Sequence, residues 1–457
     1  MRNLFFGLSL FSAIFSQALA GRSTTKKIYG VNLGSWLLLE AWMLPQEWLD
    51  MGGQNCGDCS ACIMTEHSFA KAYPDIVDAK FAKHWETWFT QDHLGYWIVE
   101  ALVDRPTEAY PRGGLAYLRK GLSWLQDAGI QVILDHHALP GVQAVGQEFT
   151  GNCTNDPQFY TPYNYHRALV WTAVMTALTH LDPTFGSVFA IEAINEPIMD
   201  ASKTPGYGDF QKNFVQTVRA VELVLGISVP RMSLGMSTSA STSNFTAALG
   251  TASTASLFNP EVQSVLKDAI PILLEIGSQC GIETALTFAP FKTSRSPIMT
   301  TFMDINWQYN NPSNPADAAI GPQGYDNHLY YSVCNLQRIQ TDAAVGNSPL
   351  WFGEWGLPTQ FNATDEFLYQ WADAQKWAYS QGAGWIFWNF KTEISNLTGG
   401  NALARQWSYL EGRNLGFLTK DPAALNDPNV CAPYIYNSTA TSTATSTTPS
   451  TTPSAAA

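Results

Sequence analysis

The chain predicts an α/β fold, a (β/α)8 barrel, on three observations. Segments of helical period alternate with short apolar runs along most of its 457 residues. Those runs end in polar residues. Two of them, Val-Phe-Ala-Ile-Glu-Ala-Ile-Asn-Glu-Pro at 188–197 and Leu-Trp-Phe-Gly-Glu-Trp at 350–355, end on or beside a glutamate. An apolar run of strand length after a helical pattern reads as a parallel strand buried on both faces. Its charged tip then lies where barrels and open sheets keep their chemistry. A doubly wound open sheet is the alternative architecture with the same pattern.

Taken in order, residues 1–20 carry Arg2, an apolar run over 4–15 and Ala18-Leu19-Ala20, and are expected to be a secretory signal peptide. The run is short for a membrane anchor. Residues 21–436 are expected to form the barrel domain. Residues 437–457 hold only Ser, Thr, Pro and Ala after Asn437 and are expected to be a disordered, solvated or O-glycosylated tail.

Residues 27–33 predict the first strand, running into Gly34-Ser35-Trp36-Leu37-Leu38-Leu39-Glu40. The Trp-rich segment 36–48 fits either packed core or a sugar-stacking surface. Residues 50–74, with Gly and Cys, read as a loop, and 81–89 as a helix. Leu115, Leu118, Leu122 and Leu125 recur at helical spacing, and Ala128-Gly129 stops that helix. The short strand 132–134 then delivers Asp135-His136-His137. A helix over 165–178 and a break at Asp182-Pro183 lead into the strand beginning at Val188. Residues 210–225 and 262–276 are helical, whereas 233–256, rich in Ser, Thr and Ala, reads as an irregular insertion. Strands follow over 301–307 and 325–331, the latter placing His328 and Tyr330 on one face. Residues 350–353 end in Glu354, and a helix over 367–379 leads through Gly382-Ala383-Gly384 to a last strand over 385–390. These strands number seven, one fewer than a closed barrel needs.

Composition bounds the partners. With 46% hydrophobic and 13% aromatic residues there is ample material for a core. A formal charge of −13 excludes an electrostatic nucleic-acid binder and a basic membrane-surface protein. Beyond the first segment no stretch is apolar for long enough to span a membrane, and the chain is expected to be a monomer. Sequons at Asn152, Asn244, Asn362, Asn396 and Asn437 agree with export, to the outside or the cell wall. The seven cysteines are expected mostly to pair there, leaving at least one over. Cys56, Cys59 and Cys62 have a spacing that metal ligands also show, but with no second cluster, disulfides to distant cysteines are expected.

Glu196 and Glu354, on separate strands, can converge at the strand ends of a barrel. Such a pair suits glycoside hydrolysis with retention: one carboxyl protonates the leaving oxygen while the other attacks the anomeric carbon. Asn195 suits a sugar 2-hydroxyl, or caps a following helix. His137, His328 and Tyr330 stand at predicted strand ends, where they could orient the nucleophile or the substrate. Trp388 offers a stacking floor for a pyranose, or simply packs.

The stretches Gly30-Val31-Asn32-Leu33-Gly34-Ser35-Trp36-Leu37, Asp135-His136-His137-Ala138-Leu139-Pro140-Gly141, Asn195-Glu196-Pro197, Asp326-Asn327-His328-Leu329-Tyr330, Phe352-Gly353-Glu354-Trp355 and Phe387-Trp388-Asn389-Phe390-Lys391-Thr392-Glu393 run in the same order as in a known family. In these the chain resembles glycoside hydrolase family 5, within it the fungal exo-β-1,3-glucanases (glucan 1,3-β-glucosidases). The resemblance implies a (β/α)8 barrel with Glu196 as acid/base and Glu354 as nucleophile. It also implies a glucosyl site lined by His137, Asn195, His328, Tyr330 and Trp388, with no cofactor and no metal. The expected activity is release of glucose from the ends of β-1,3-glucan in fungal wall metabolism. Internal cleavage of β-1,6- or β-1,4-glucan, and a catalytically impaired glucan-binding wall protein, are the alternatives.

The family pattern has a helix and the second barrel strand, ending in an Arg beside the nucleophile, between stretches like His84-Trp85-Glu86-Thr87-Trp88 and Gly95-Tyr96-Trp97. Here Gln91-Asp92-His93 runs straight into Leu94-Gly95-Tyr96, with no Arg between. The barrel is therefore expected to lack its second strand and the preceding helix, and to have unpaired edges on both sides of the gap. Residues 96–103 are the nearby candidate to fill it, and the loss of the Arg removes a partner of the ionised nucleophile. The segment after Tyr331, with Ser332-Val333-Cys334, is also shorter than in the family.

Overall fold

The computed structural model describes residues 27–89, 102–103, 107–230, 232, 244–287, 295–304, 307, 320–330 and 346–434. The segments 1–20 and 437–457, the junction at His93 and Leu94, most of the candidate filler 96–103 and the segment after Tyr331 lie outside the described residues.

Seven strands form one all-parallel sheet: β1 (Ile28–Val31), β2 (Val132–Asp135), β3 (Val188–Glu192), β4 (Met299–Met303), β5 (Gln323–His328), β6 (Leu350–Glu354) and β7 (Gly384–Phe387). Their spatial order is β1-β7-β6-β5-β4-β3-β2. β1 thus pairs with the last strand, as in a barrel, while β1 and β2 are the two edges among the described residues. Among the described residues this is a curled barrel-type sheet of parallel strands, open at the position of the expected second strand. A cavity of about 710 Å³ occupies the opening, lined by Tyr29 and Val31 on one edge and Val132 and Ile133 on the other.

The helices in chain order are α1 (Pro45–Met51), α2 (Glu66–Ala72), α3 (Val77–Trp88), α4 (Gly114–Asp127), α5 (Pro162–Leu181), α6 (Tyr207–Val224), α7 (Phe245–Ala252), α8 (Pro260–Cys280), α9 (Glu283–Thr287), α10 (Asp365–Tyr379), α11 (Ala404–Trp407) and α12 (Tyr409–Asn414). Their starts follow side-chain chemistry. Thr161 accepts the Asn164 amide before Pro162 at the head of α5, Asn259 caps α8 and Thr364 caps α10. α5 is buried nearly all round because it packs against α6 and α8, while its Trp171 stacks on His136 just past β2. The main core lies among these helices and the outer face of the sheet, where Ile191, Phe214, Val218, Leu266 and Phe302 are buried. A small separate cluster of Ala190, Met299 and Trp351 fills part of the inside of the sheet.

Several expectations are corrected. The stretch 50–74 is not all loop: it contains α2, started by a capping box between Thr65 and Ser68. Within 233–256 the described part holds α7, capped by Asn244. The strand at 188–197 ends at Glu192, so Asn195 and Glu196 stand on the loop beyond it. Cys56 pairs locally with Cys62, while Cys59 reaches Cys153 across 94 residues. Cys431 is also disulfide-bonded, and Cys280 is the free thiol among the described residues.

Candidate active site

The loop after β3 leaves the ladder under control. The Asn195 amide donates to His136 O at 3.1 Å, and the Gln143 side-chain amide donates to both His137 O and Asn195 O at 2.6 and 3.1 Å. Glu196 follows with a φ of 41°, a backbone conformation L-residues rarely take, which turns its side chain away from the course of the strand. Its carboxylate meets His328, the last residue of β5, whose Nδ1 lies 2.6 Å from Glu196 Oε1. The same Nδ1 lies 3.4 Å from Glu354 Oε2 at the end of β6. Tyr330 donates its hydroxyl to Glu354 Oε2 at 2.6 Å. One oxygen of Glu196, one oxygen of Glu354 and a His328 ring nitrogen all lie within 4.8 Å of one another.

The other expected residues surround this trio. His137, just past β2, pairs Nδ1 with Asp135 Oδ2 at 2.6 Å. Its ring lies over Trp388 with centroids 5.4 Å apart and planes 8° from parallel. Trp388 can come this close to the β1 loop because residue 34 is glycine: a Cβ there would lie 2.9 Å from the indole. Asn195 is buried, and its Nδ2 has no hydrogen-bond partner among the described residues. The structure thus brings together Glu196, Glu354, His137, Asn195, His328, Tyr330 and Trp388 at the C-terminal end of the strands.

Burial is the largest influence on the charges here. It pushes the Glu354 carboxyl up to about 8, against the opposing pull of His328. Burial would by itself lower both histidines, but carboxylates outweigh it. His137, held by Asp135 and facing Glu354, is raised to about 9, and His328, between Glu354 and Glu196, to about 10. Two imidazolium groups therefore supply the positive charge beside the catalytic-type carboxylates. Among the described residues no Arg or Lys pairs with Glu196 or Glu354.

Some residues of the site were not singled out in the sequence. Glu40, just beyond β1, is buried beside His137, accepts Trp42 Nε1–H at 3.0 Å and is raised by burial. Glu148 accepts the Trp42 amide at 3.3 Å and is pushed by burial to about 7. Trp42, Trp407 and Tyr330 form a run of aromatic contacts at the rim, with centroids 5.2 and 5.3 Å apart. The Glu40 signal was its place at the end of an apolar run, the same signal that marked Glu354.

No family model matches the chain. It is 25% identical over 460 aligned residues to glucan endo-1,6-beta-glucosidase B of Emericella nidulans, covering 93% of each. To the probable glucan endo-1,6-beta-glucosidase B of Neosartorya fischeri it is 27% identical, over 90% of this chain and 91% of that protein. The probable glucan 1,3-beta-glucosidase A of Aspergillus fumigatus matches at 30% identity over 43% of this chain and 47% of its own length. Among solved structures, the rutinosidase from Aspergillus niger superposes with a TM-score of 0.51 at 17% identity, over 86% of this chain and 98% of that one, a likeness of fold. Along nine-tenths of its length, the chain that carries this glutamate pair on a barrel-type sheet is similar to glucan endo-1,6-beta-glucosidases.

Proposed function

We propose that the chain is a retaining glycoside hydrolase of β-glucan with Glu196 as acid/base and Glu354 as nucleophile. The carboxylate spacing carries this reading. One oxygen of each carboxyl lies within 4.8 Å of the other, which fits the separation of about 5–5.5 Å typical of retaining enzymes better than the about 6.5–9.5 Å of inverting ones. Glu354 attacks the anomeric carbon as the glycosidic C–O bond breaks, and the leaving oxygen takes its electron pair and the Glu196 proton. Water, deprotonated by Glu196, then displaces Glu354. The His328 imidazolium, 3.4 Å from Glu354 Oε2, favours the ionised form of Glu354 that attacks, against the pull of burial, and the Tyr330 hydroxyl orients Glu354. The Asn195 amide suits the sugar 2-hydroxyl, and Trp388, backed by His137, suits a pyranose face.

For linkage, the relatives matched over nine-tenths of the chain favour internal cleavage of β-1,6-glucan. The expected release of glucose from β-1,3-glucan keeps the support of the motif resemblance to glycoside hydrolase family 5 and of a relative matched over 43% of the chain. Incubation with pustulan and with laminarin tests both. Oligosaccharides from pustulan support the first reading, and glucose alone from laminarin the second. Binding without products from either overturns the hydrolase reading. The Cys56–Cys62 and Cys59–Cys153 disulfides support the further proposal that the chain works in an oxidising setting, outside the cell or in its wall.

A further inference from the structure

Beneath the glutamate pair, the inside of the sheet holds three more carboxyl groups: Asp135 on β2, Glu192 on β3 and Asp326 on β5. Glu192 and Asp326 are 3% and 4% exposed, and their carboxyl groups are hydrogen-bonded to one another. Two carboxylates are both acceptors, so such a bond requires one of the two to carry a proton.

The surroundings decide which one. Asp326 has the partners of an anion. Its Oδ1 accepts the Gly353 backbone N–H at 2.5 Å, and its Oδ2 lies 3.9 Å from His328 Nε2. A Cβ at position 353 would fall on the Asp326 carboxylate, so glycine there lets Asp326 reach the β6 backbone one residue before Glu354. Glu192 instead faces acids: Asp326 on β5, Asp135 on the adjacent β2 and Glu354 on β6, with the Tyr207 hydroxyl from α6. Burial and these acidic neighbours raise the Glu192 carboxyl, whereas on Asp326 the His328 ring and the Gly353 N–H oppose burial.

We propose that Glu192 is a positioning residue that acts as a neutral acid, donating its O–H to Asp326 so that Asp326 stays an anion. That anion holds the Gly353 amide, and with it the backbone that presents Glu354, and gives the His328 imidazolium a counter-charge on its far side. The inference rests on the glycosidase reading. Without the Glu192 donor, Asp326, buried beside Asp135, takes up a proton itself, and His328 loses that counter-charge.

The test combines the titration of the His328 ring, followed by NMR, with kcat and KM on the better glucan, for the full chain and its Glu192→Gln, Glu192→Ala and Asp326→Asn variants. Gln keeps a neutral donor of the same shape, so Glu192→Gln should hold kcat within about threefold and leave His328 unshifted. Glu192→Ala should lower kcat about 10- to 100-fold with KM little changed, the loss of one hydrogen bond to a charged group. Glu192→Ala and Asp326→Asn should both lower the His328 titration by about one unit or more. A Gln variant as impaired as the Ala variant overturns the neutral-acid role. An unshifted His328 in Asp326→Asn overturns the counter-charge, even if Glu192→Ala does not fold. A parent chain that cleaves no glucan overturns the glycosidase reading instead, and the His328 titration still decides this one.

Discussion

His328 Nδ1 stands 2.6 Å from Glu196 Oε1, so the proposed proton donor is bound to a ring that its neighbours hold charged up to about pH 10. The same ring nitrogen lies 3.4 Å from Glu354 Oε2, so one side chain positions both carboxyl groups. His328→Ala should cut kcat/KM about 100-fold, the scale of one positioned group in acid–base catalysis. Because the ring stays charged across pH 5–8, the ratio of variant to parent should be flat over that range, about three decades of proton concentration. A deficit that vanishes at pH 8 would mean the ring titrates inside it.

The two glutamates should separate by leaving group. Glu354→Ala removes the attacking carboxylate and should abolish turnover of every substrate while leaving glucan binding, read by co-sedimentation, in place. Glu196→Ala removes only the proton, so an aryl β-glucoside with an acidic phenol should still react, giving a burst of phenol and then stalling at the glycosyl-enzyme. Identical losses on aryl and glucan substrates would reverse or refute the assignment.

The disulfides should differ in weight. Cys59–Cys153 closes a separation of 94 residues and Cys56–Cys62 one of 6. Restriction of the unfolded chain then predicts costs of about 4.7 and about 2.3 kcal/mol for their removal. Urea denaturation of the double Cys→Ser variants should place the midpoint of the first well below that of the second. Equal midpoints would mean the long link restrains little.

The strands were legible where an apolar run was short and bounded. β2 was expected over 132–134 and stands at Val132–Asp135, and β6 matches to a residue. At β3 the apolar residues Ala193 and Ile194 continue past Glu192, so composition carried the strand too far, and only the positive φ of Glu196 marks the turn. α2 was hidden because its signal is a two-residue cap, Thr65 and Ser68, beside a cluster of cysteines that reads as loop. The glutamate pair showed itself through local context, each glutamate ending an apolar run. Glu192 and Asp326 did not, although both lie in the quoted motifs. Their meaning comes from meeting each other, across strands more than a hundred residues apart, in the one place that neither meets water.

Stability should peak in the weakly acidic range, because two sets of buried groups pull in opposite directions. His136 lies against Trp171 with ring centroids 4.0 Å apart, and burial lowers it to about 3; His67 is lowered by burial to about 4. Unfolded histidine titrates near 6.5, so at acid pH the unfolded chain binds more protons, and stability is lost as pH falls from about 6.5 towards 3. Glu66 has the reverse sign. Its Oε1 accepts the Leu39 amide at 3.0 Å, its Oε2 has no partner among the described residues, and burial raises it to about 8. Between about 4.5 and 8 the folded chain keeps a proton there that the unfolded chain has lost, so stability falls as pH rises. Glu148, raised to about 7, and His137 and His328, charged up to about 9 and 10, act in the same direction. The slopes cross between about pH 5 and 6.5, where thermal denaturation should give the highest Tm. Glu66→Gln, which keeps the shape without the titration, should flatten the fall above that maximum and stabilise the chain at pH 8 by about 2–4 kcal/mol. A Gln variant that loses stability between pH 5 and 8 as steeply as the parent would mean that the Glu66 carboxyl is already ionised in the folded chain.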